Sequence, residues 1–134
     1  MIAAVCGWHE HHARAATEIG RRLARRDRML SAAPALVEGY AVLTRLPPPH
    51  RLAPADALAL LDANFIRARR VLALDSRSYC DLLRRAPGEG VSGGRTYDAV
   101  IVACALRAKV TTLLTFNAEH FAPYSDRGLA IVVP

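Results

Sequence analysis

The apolar positions of this chain switch repeatedly between helical spacing and short unbroken runs. Within the polar stretch 9–28, Ala16, Ile19, Leu23 and Ala24 recur at helical intervals and predict an amphipathic helix. Met29–Ala33 is a short run of small apolar residues and predicts a buried strand. Pro34 stands where a first helical turn accepts it, opening a helix over 35–46 with Leu36, Val37, Tyr40 and Leu43 as its apolar stripe. Pro47-Pro48-Pro49 closes that helix. Pro54 opens the next, running to Ala68 with Leu58, Leu61 and Phe65 facing inward. Val71–Leu74 has strand length. Ser76–Arg85 predicts a helix that ends at Pro87-Gly88-Glu89-Gly90. After Ser92-Gly93-Gly94, a helix over Thr96–Ala108 puts Tyr97, Val100, Ile101 and Cys104 on one face. Thr111–Phe116 predicts a buried strand, Glu119–Tyr124 a helical turn, and Leu129–Val133 the last strand.

Apolar strands alternating with helices predict an α/β fold whose parallel sheet is covered on both faces. In such sheets ligands collect beyond the carboxyl ends of the strands. A crossover helix starts at that same edge. Glu38 lies in the first turns after strand 29–33, Asp98 in the first turn of the helix leading into strand 111–116, and Asn117 directly after that strand. All three are expected at one edge.

Composition narrows the class. The chain has 134 residues, 52% of them apolar, which fits one domain over 1–134 with a sizeable core. A charged fraction of 22% excludes a disordered chain. The formal net charge is +6, and Lys109 is the only lysine. An arginine-rich surface favours polyanions. Cys6, Cys80 and Cys104 are too few and too scattered for a disulfide framework or a zinc site, which fits a reducing compartment. No apolar run approaches the roughly 20 residues of a membrane span. Met1–Trp8 lacks a basic leader and soon meets Glu10, a poor signal peptide. A cytoplasmic location is expected, with no membrane partner.

Two carboxylates and an amide oxygen are hard donors suited to Mg²⁺ or Mn²⁺. Such an ion activates water and stabilises charge on a phosphodiester. An Asp in a first helical turn also reads as a plain partner of the helix dipole, and spacing alone leaves both readings open.

Three stretches, Ala33-Pro34-Ala35-Leu36-Val37-Glu38, Gly93-Gly94-Arg95-Thr96-Tyr97-Asp98-Ala99 and Leu113-Leu114-Thr115-Phe116-Asn117-Ala118-Glu119-His120-Phe121, resemble PIN domains, and most closely the VapC-like toxins of bacterial toxin–antitoxin pairs. The resemblance runs over essentially the whole chain. It implies a three-layer α/β/α sandwich and a Mg²⁺- or Mn²⁺-dependent endoribonuclease, neutralised by a cognate antitoxin and expected to dimerise. It matches Glu38 to the second acid of the family, Asp98 to the third and Asn117 to a fourth position, with Thr115 in support. Glu38 and Asp98 would be the metal ligands.

One departure stands out. The resemblance calls for a first, central strand ending in Asp, and no acid precedes Glu10. Three accounts are open: a start set at an internal methionine, a degenerate inactive relative, or Met1–Cys6 filling the strand slot with one carboxylate fewer. A non-catalytic module that binds RNA or an antitoxin is the alternative function.

Other features read more plainly. His9-Glu10-His11-His12 is not a zinc motif, because HExxH needs a histidine where Ala13 stands. It reads as a solvated helix end. Arg21, Arg22, Arg25 and Arg26, with Arg14 and Arg28, form either a solvated helix face or a phosphate track for RNA, and Arg67, Arg69 and Arg70 form a second cluster. Aromatic residues are only 6%, so base stacking has weak support, and Trp8, Tyr40, Phe65 and Tyr97 read as core or interface.

Overall fold

The apolar start of the chain is helical: α1 spans Ile2–Val5 in a computed structural model that describes residues 1–67 and 70–134. The Cys6 N–H closes the turn on the Ile2 carbonyl at 2.9 Å. Met1–Cys6 therefore does not supply a strand, which corrects that account of the departure. Turns through residues 7–11 then delay the next helix, α2 (His12–Ala24), past its expected start. It ends early because Arg26 takes a φ of 64°. Only Ala15 of α2 is buried; Ile19 and Leu23 are half-buried, while Ala16 and Ala24 are exposed.

β1 (Leu30–Ala32) runs directly into α3 (Ala33–Arg45). Pro34 falls in the first turn of α3, where its missing N–H costs nothing. α4 (Pro54–Leu61) begins on a second such proline and continues as a wider π-turn over Asp62–Ile66. Ala68 and Arg69 lie outside the described residues, so the predicted helix end and the middle of the second arginine cluster are not placed. β2 (Arg70–Leu72) pairs with β1. Two compact units divide the chain, Met1–Val71 and Leu72–Pro134. The core of the first joins Cys6, Leu36, Leu43, Ala57, Leu61 and Phe65. Phe65 is core, as one of the two readings had it, but Val37 is 71% exposed, and Tyr40 and Leu58 are also exposed.

In the second unit, α5 (Ser76–Arg85) is capped by Asp75, whose Oδ1 accepts the Ser78 N–H at 2.8 Å. This bond, with the Ser78 side chain and Arg107 beside it, holds the Asp75 carboxyl below its ordinary range. α6 (Arg95–Arg107) buries Ala99, Val100, Val102, Cys104 and Ala105. Cys104 is the small buried hydrophobe its position predicts, and burial raises its thiol pKa. Tyr97, counted on the same face, is 65% exposed.

β3 (Thr112–Leu114) is followed by α7 (Ala118–Phe121), a 3₁₀ stretch over Ala122–Arg127 and β4 (Ala130–Val132). β3 and β4 are parallel, with Leu113 opposite Ile131. The fold is thus mixed α/β. The expected continuous sheet is represented, among the described residues, by two two-stranded sheets, β1 with β2 and β3 with β4.

Candidate active site

Asp98 owes its position to the glycines before it. Gly93 has a φ of 54°, the left-handed region in which a side chain is strained, and its carbonyl accepts the Thr96 N–H at 3.1 Å. α6 starts there, and Asp98 falls in its first turn while Ala99 and Val100 anchor the helix inward. The Asp98 side chain is 18% exposed, and its Oδ2 lies 3.0 Å from His120 Nδ1. With the carboxylate ionised, only the imidazole can donate, so the shared proton sits on Nδ1.

The partner segment leaves the end of β3. The Thr115 N–H extends the ladder to the Val132 carbonyl at 3.0 Å, and the Thr115 Oγ1 accepts the Asn117 N–H at 3.0 Å. That bond bends the chain so that Asn117 stands exposed at the start of α7. One turn on, the His120 N–H donates to the Asn117 carbonyl at 3.1 Å. His120 therefore links Asp98 by its ring to Asn117 by its backbone. Sequence reasoning passed over His120. Its only signal was a place three residues after Asn117, on the same helical turn.

Glu38 belongs to the first unit. It is exposed on α3, soon after β1, while Leu36, Gly39 and Leu43 bury the opposite face. The second unit thus brings together Asp98, Thr115, Asn117 and His120.

Among the described residues no three His, Cys, Asp or Glu side chains gather into a metal-holding group. The donor chemistry still suits a hard cation. Mg²⁺ keeps several waters and is commonly held by one or two carboxylates, and Asp98, engaged by His120 at Oδ2, has a second oxygen to offer.

Residues 1–125 match the PIN domain model. The chain belongs to the PIN-domain family. Similar proteins include Ribonuclease VapC40 of Mycobacterium tuberculosis, found in two strains, which is 42% identical over 114 residues, 84% of this chain and 79% of its own. Ribonuclease VapC27 of the same organism is 38% identical over 99 residues, 74% of this chain and 69% of its own. No solved structure matches at comparable significance. The PIN match spans Glu38, Asp98, Thr115, Asn117 and His120.

The expected arginine track is partly engaged within this PIN chain. Glu18 receives Arg21 at 2.6 Å and Arg22 at 2.7 Å, while Arg25 and Arg26 stand exposed at the end of α2. The two guanidiniums lower the Glu18 carboxyl from its ordinary 4.5 to about 2. A carboxyl with a depressed folded pKa stabilises the fold above its unfolded pKa, and that contribution fades as pH falls toward the folded value. Glu18→Gln is therefore expected to flatten the acid-unfolding curve between pH 4.5 and about 2, as followed by circular dichroism. An unchanged curve would show that the pair adds nothing to folding.

Proposed function

We propose that this chain is a metal-dependent endoribonuclease toxin, cutting RNA phosphodiester bonds and neutralised by a cognate antitoxin. The observation that carries this reading is the Asp98–His120–Asn117 linkage at the start of α6 and the end of β3, in a chain whose relatives are ribonucleases. In the same reading residues 1–134 form one α/β/α domain that dimerises in the cytoplasm.

Asp98 and Glu38 would hold Mg²⁺ or Mn²⁺, which when bound supplies an activated water and charge stabilisation on the phosphate oxygens. The residues of the chain do the rest. His120 fixes the Asp98 carboxylate by donating from Nδ1. Thr115 fixes the turn that presents Asn117. The Asn117 amide adds no charge, and its role is to orient water or a phosphate oxygen by hydrogen bonding. A group oriented before the reaction needs no rearrangement during it, the source of much enzymatic rate enhancement.

A second reading is favoured by one observation. Ile2–Val5 is a helix without a carboxylate, so this segment does not supply the strand-borne acid implied by the family resemblance. A PIN module that binds RNA or an antitoxin without cutting fits that fact.

Incubating the purified chain with RNA in Mg²⁺ or Mn²⁺, and in EDTA, separates the two. Cleavage that requires the metal and stops in EDTA is expected. RNA bound but uncut in every condition would transfer the assignment to the second reading, and equal cleavage in EDTA would overturn the metal-dependent one.

A further inference from the structure

Trp8 is the only tryptophan of the chain and is 45% exposed. Leaving half an indole in water forgoes burial that the core obtains elsewhere from Phe65. It is also not a loose side chain. His50, reached only after the triple proline, stacks on it with centroids 4.2 Å apart and planes 28° from parallel. His9 leans against it at 5.9 Å, and His11 against His9 at 5.5 Å.

Backbone bonds hold both ends of this stack. The His9 N–H donates to the Cys6 carbonyl at 3.0 Å, and Cys6 is core. The His50 N–H donates to the Pro47 carbonyl at 3.0 Å, and the Leu52 N–H to the carbonyl of fully buried Leu43 at 3.0 Å. The His9 Nδ1 accepts the His11 N–H at 3.1 Å. The backbone on either side of the stack is therefore anchored, and the contact between the two rings is what orders them.

The surrounding charge points to the kind of ligand. The unit that carries Trp8 holds eleven arginines against six aspartates and glutamates; the other holds seven basic residues against six acidic ones. Of the net charge of +6, all but +1 lies on the unit that carries the aromatic stack. Glu10 is the carboxylate at the cluster, 3.6 Å from His11 Nε2 and mostly in solvent. A half-exposed indole on a basic unit is the pairing that single-stranded nucleic acid recognises, with phosphates drawn by charge and a base laid on the ring.

We propose that Trp8, backed by His50, is a stacking platform for an unpaired base of RNA. The choice of RNA rests on the ribonuclease reading, which the platform deepens by giving the substrate a single-stranded contact on the unit that does not carry Asp98. It revises the expectation that Trp8 is a core or interface residue and not a substrate platform.

Because Trp8 is the sole indole, its fluorescence reports the contact directly. The full chain in EDTA is titrated with a fluorescein-labelled single-stranded RNA oligonucleotide, then with a labelled abasic oligonucleotide of equal length. Anisotropy measures binding and Trp8 emission measures stacking. The RNA is expected to quench Trp8, while the abasic chain binds without quenching. Trp8→Ala is expected to weaken RNA binding roughly 5- to 150-fold, Trp8→Phe to restore most of it, and His50→Ala to reduce the quench. Thermal melts confirm that the variants fold.

RNA that fails to bind, that binds without quenching, or that binds Trp8→Ala like the parent would overturn the platform. Emission that responds to a protein partner and not to RNA would do the same. Because metal is absent throughout, failure of cleavage leaves this result intact, and a working nuclease with a silent Trp8 refutes the platform alone.

Discussion

Asp98→Asn is expected to lower metal-dependent RNA cleavage by more than about 100-fold, a larger loss than removing a group that only orients a metal ligand. The substitution keeps the size of the side chain and an oxygen that can still accept from His120 Nδ1. What it removes is the negative charge that a divalent cation requires. His120→Ala does the reverse: the charge stays and the 3.0 Å hydrogen bond is lost. Its expected cost is about 10- to 100-fold in activity or metal affinity. The two losses should not multiply in the double variant, because they act through one carboxylate. Single-turnover cleavage gives the activities, and electron paramagnetic resonance of free Mn²⁺ gives the affinity without relying on turnover. His120→Asn, which can place a donor near the former Nδ1, should recover part of the His120→Ala loss. Cleavage at the parent rate in Asp98→Asn would end the assignment of Asp98.

The parts of this site that local chemistry dictates were legible in the sequence, and those that depend on distant partners were not. The helix over Ser76–Arg85 has the bounds the sequence predicts: Pro87-Gly88 cannot continue a helix, and the structure adds the Asp75 cap at its start. Pro34 likewise marked the start of the helix that carries Glu38, and Gly93-Gly94 the start of the helix that carries Asp98. The strands are shorter than composition predicts: Thr112–Leu114 within Thr111–Phe116, and Ala130–Val132 within Leu129–Val133. Strand ends are set by where pairing stops, which composition does not record.

Periodicity also overcounted the core. It assigned Val37, Tyr40, Leu58 and Tyr97 to inner faces, yet all four are exposed, since a spacing identifies a face but not what covers it. The first helix escaped notice for a related reason. Four apolar residues have no helical period, and so short a helix is held by its contacts and not by propensity. The pairings Asp98–His120 and Trp8–His50 join residues far apart in the chain. Nothing in either neighbourhood announces its partner.

Leu43→Ala and Leu129→Ala are the substitutions expected to cost most stability, about 2–5 kcal/mol each against a total of about 5–15 kcal/mol for a domain of this kind. Both leucines have no exposed surface. Leu43 sits in the core of the first unit with Leu36, Leu61 and Phe65, and Leu129 lies between Gly128, whose φ of 81° ends the 3₁₀ stretch, and β4 in the second. Their value as a pair is that they lie in different units. Trp8 fluorescence follows the first unit alone, whereas far-ultraviolet circular dichroism follows helices in both. If residues 1–134 fold as one cooperative domain, the two signals coincide in urea, and Leu129→Ala shifts the Trp8 transition although Leu129 belongs to the other unit. Leu43→Ala should then shift the same single transition by a comparable amount. Separate transitions, with Trp8 blind to Leu129→Ala, would show instead that the units fold independently and would overturn the single-domain proposal.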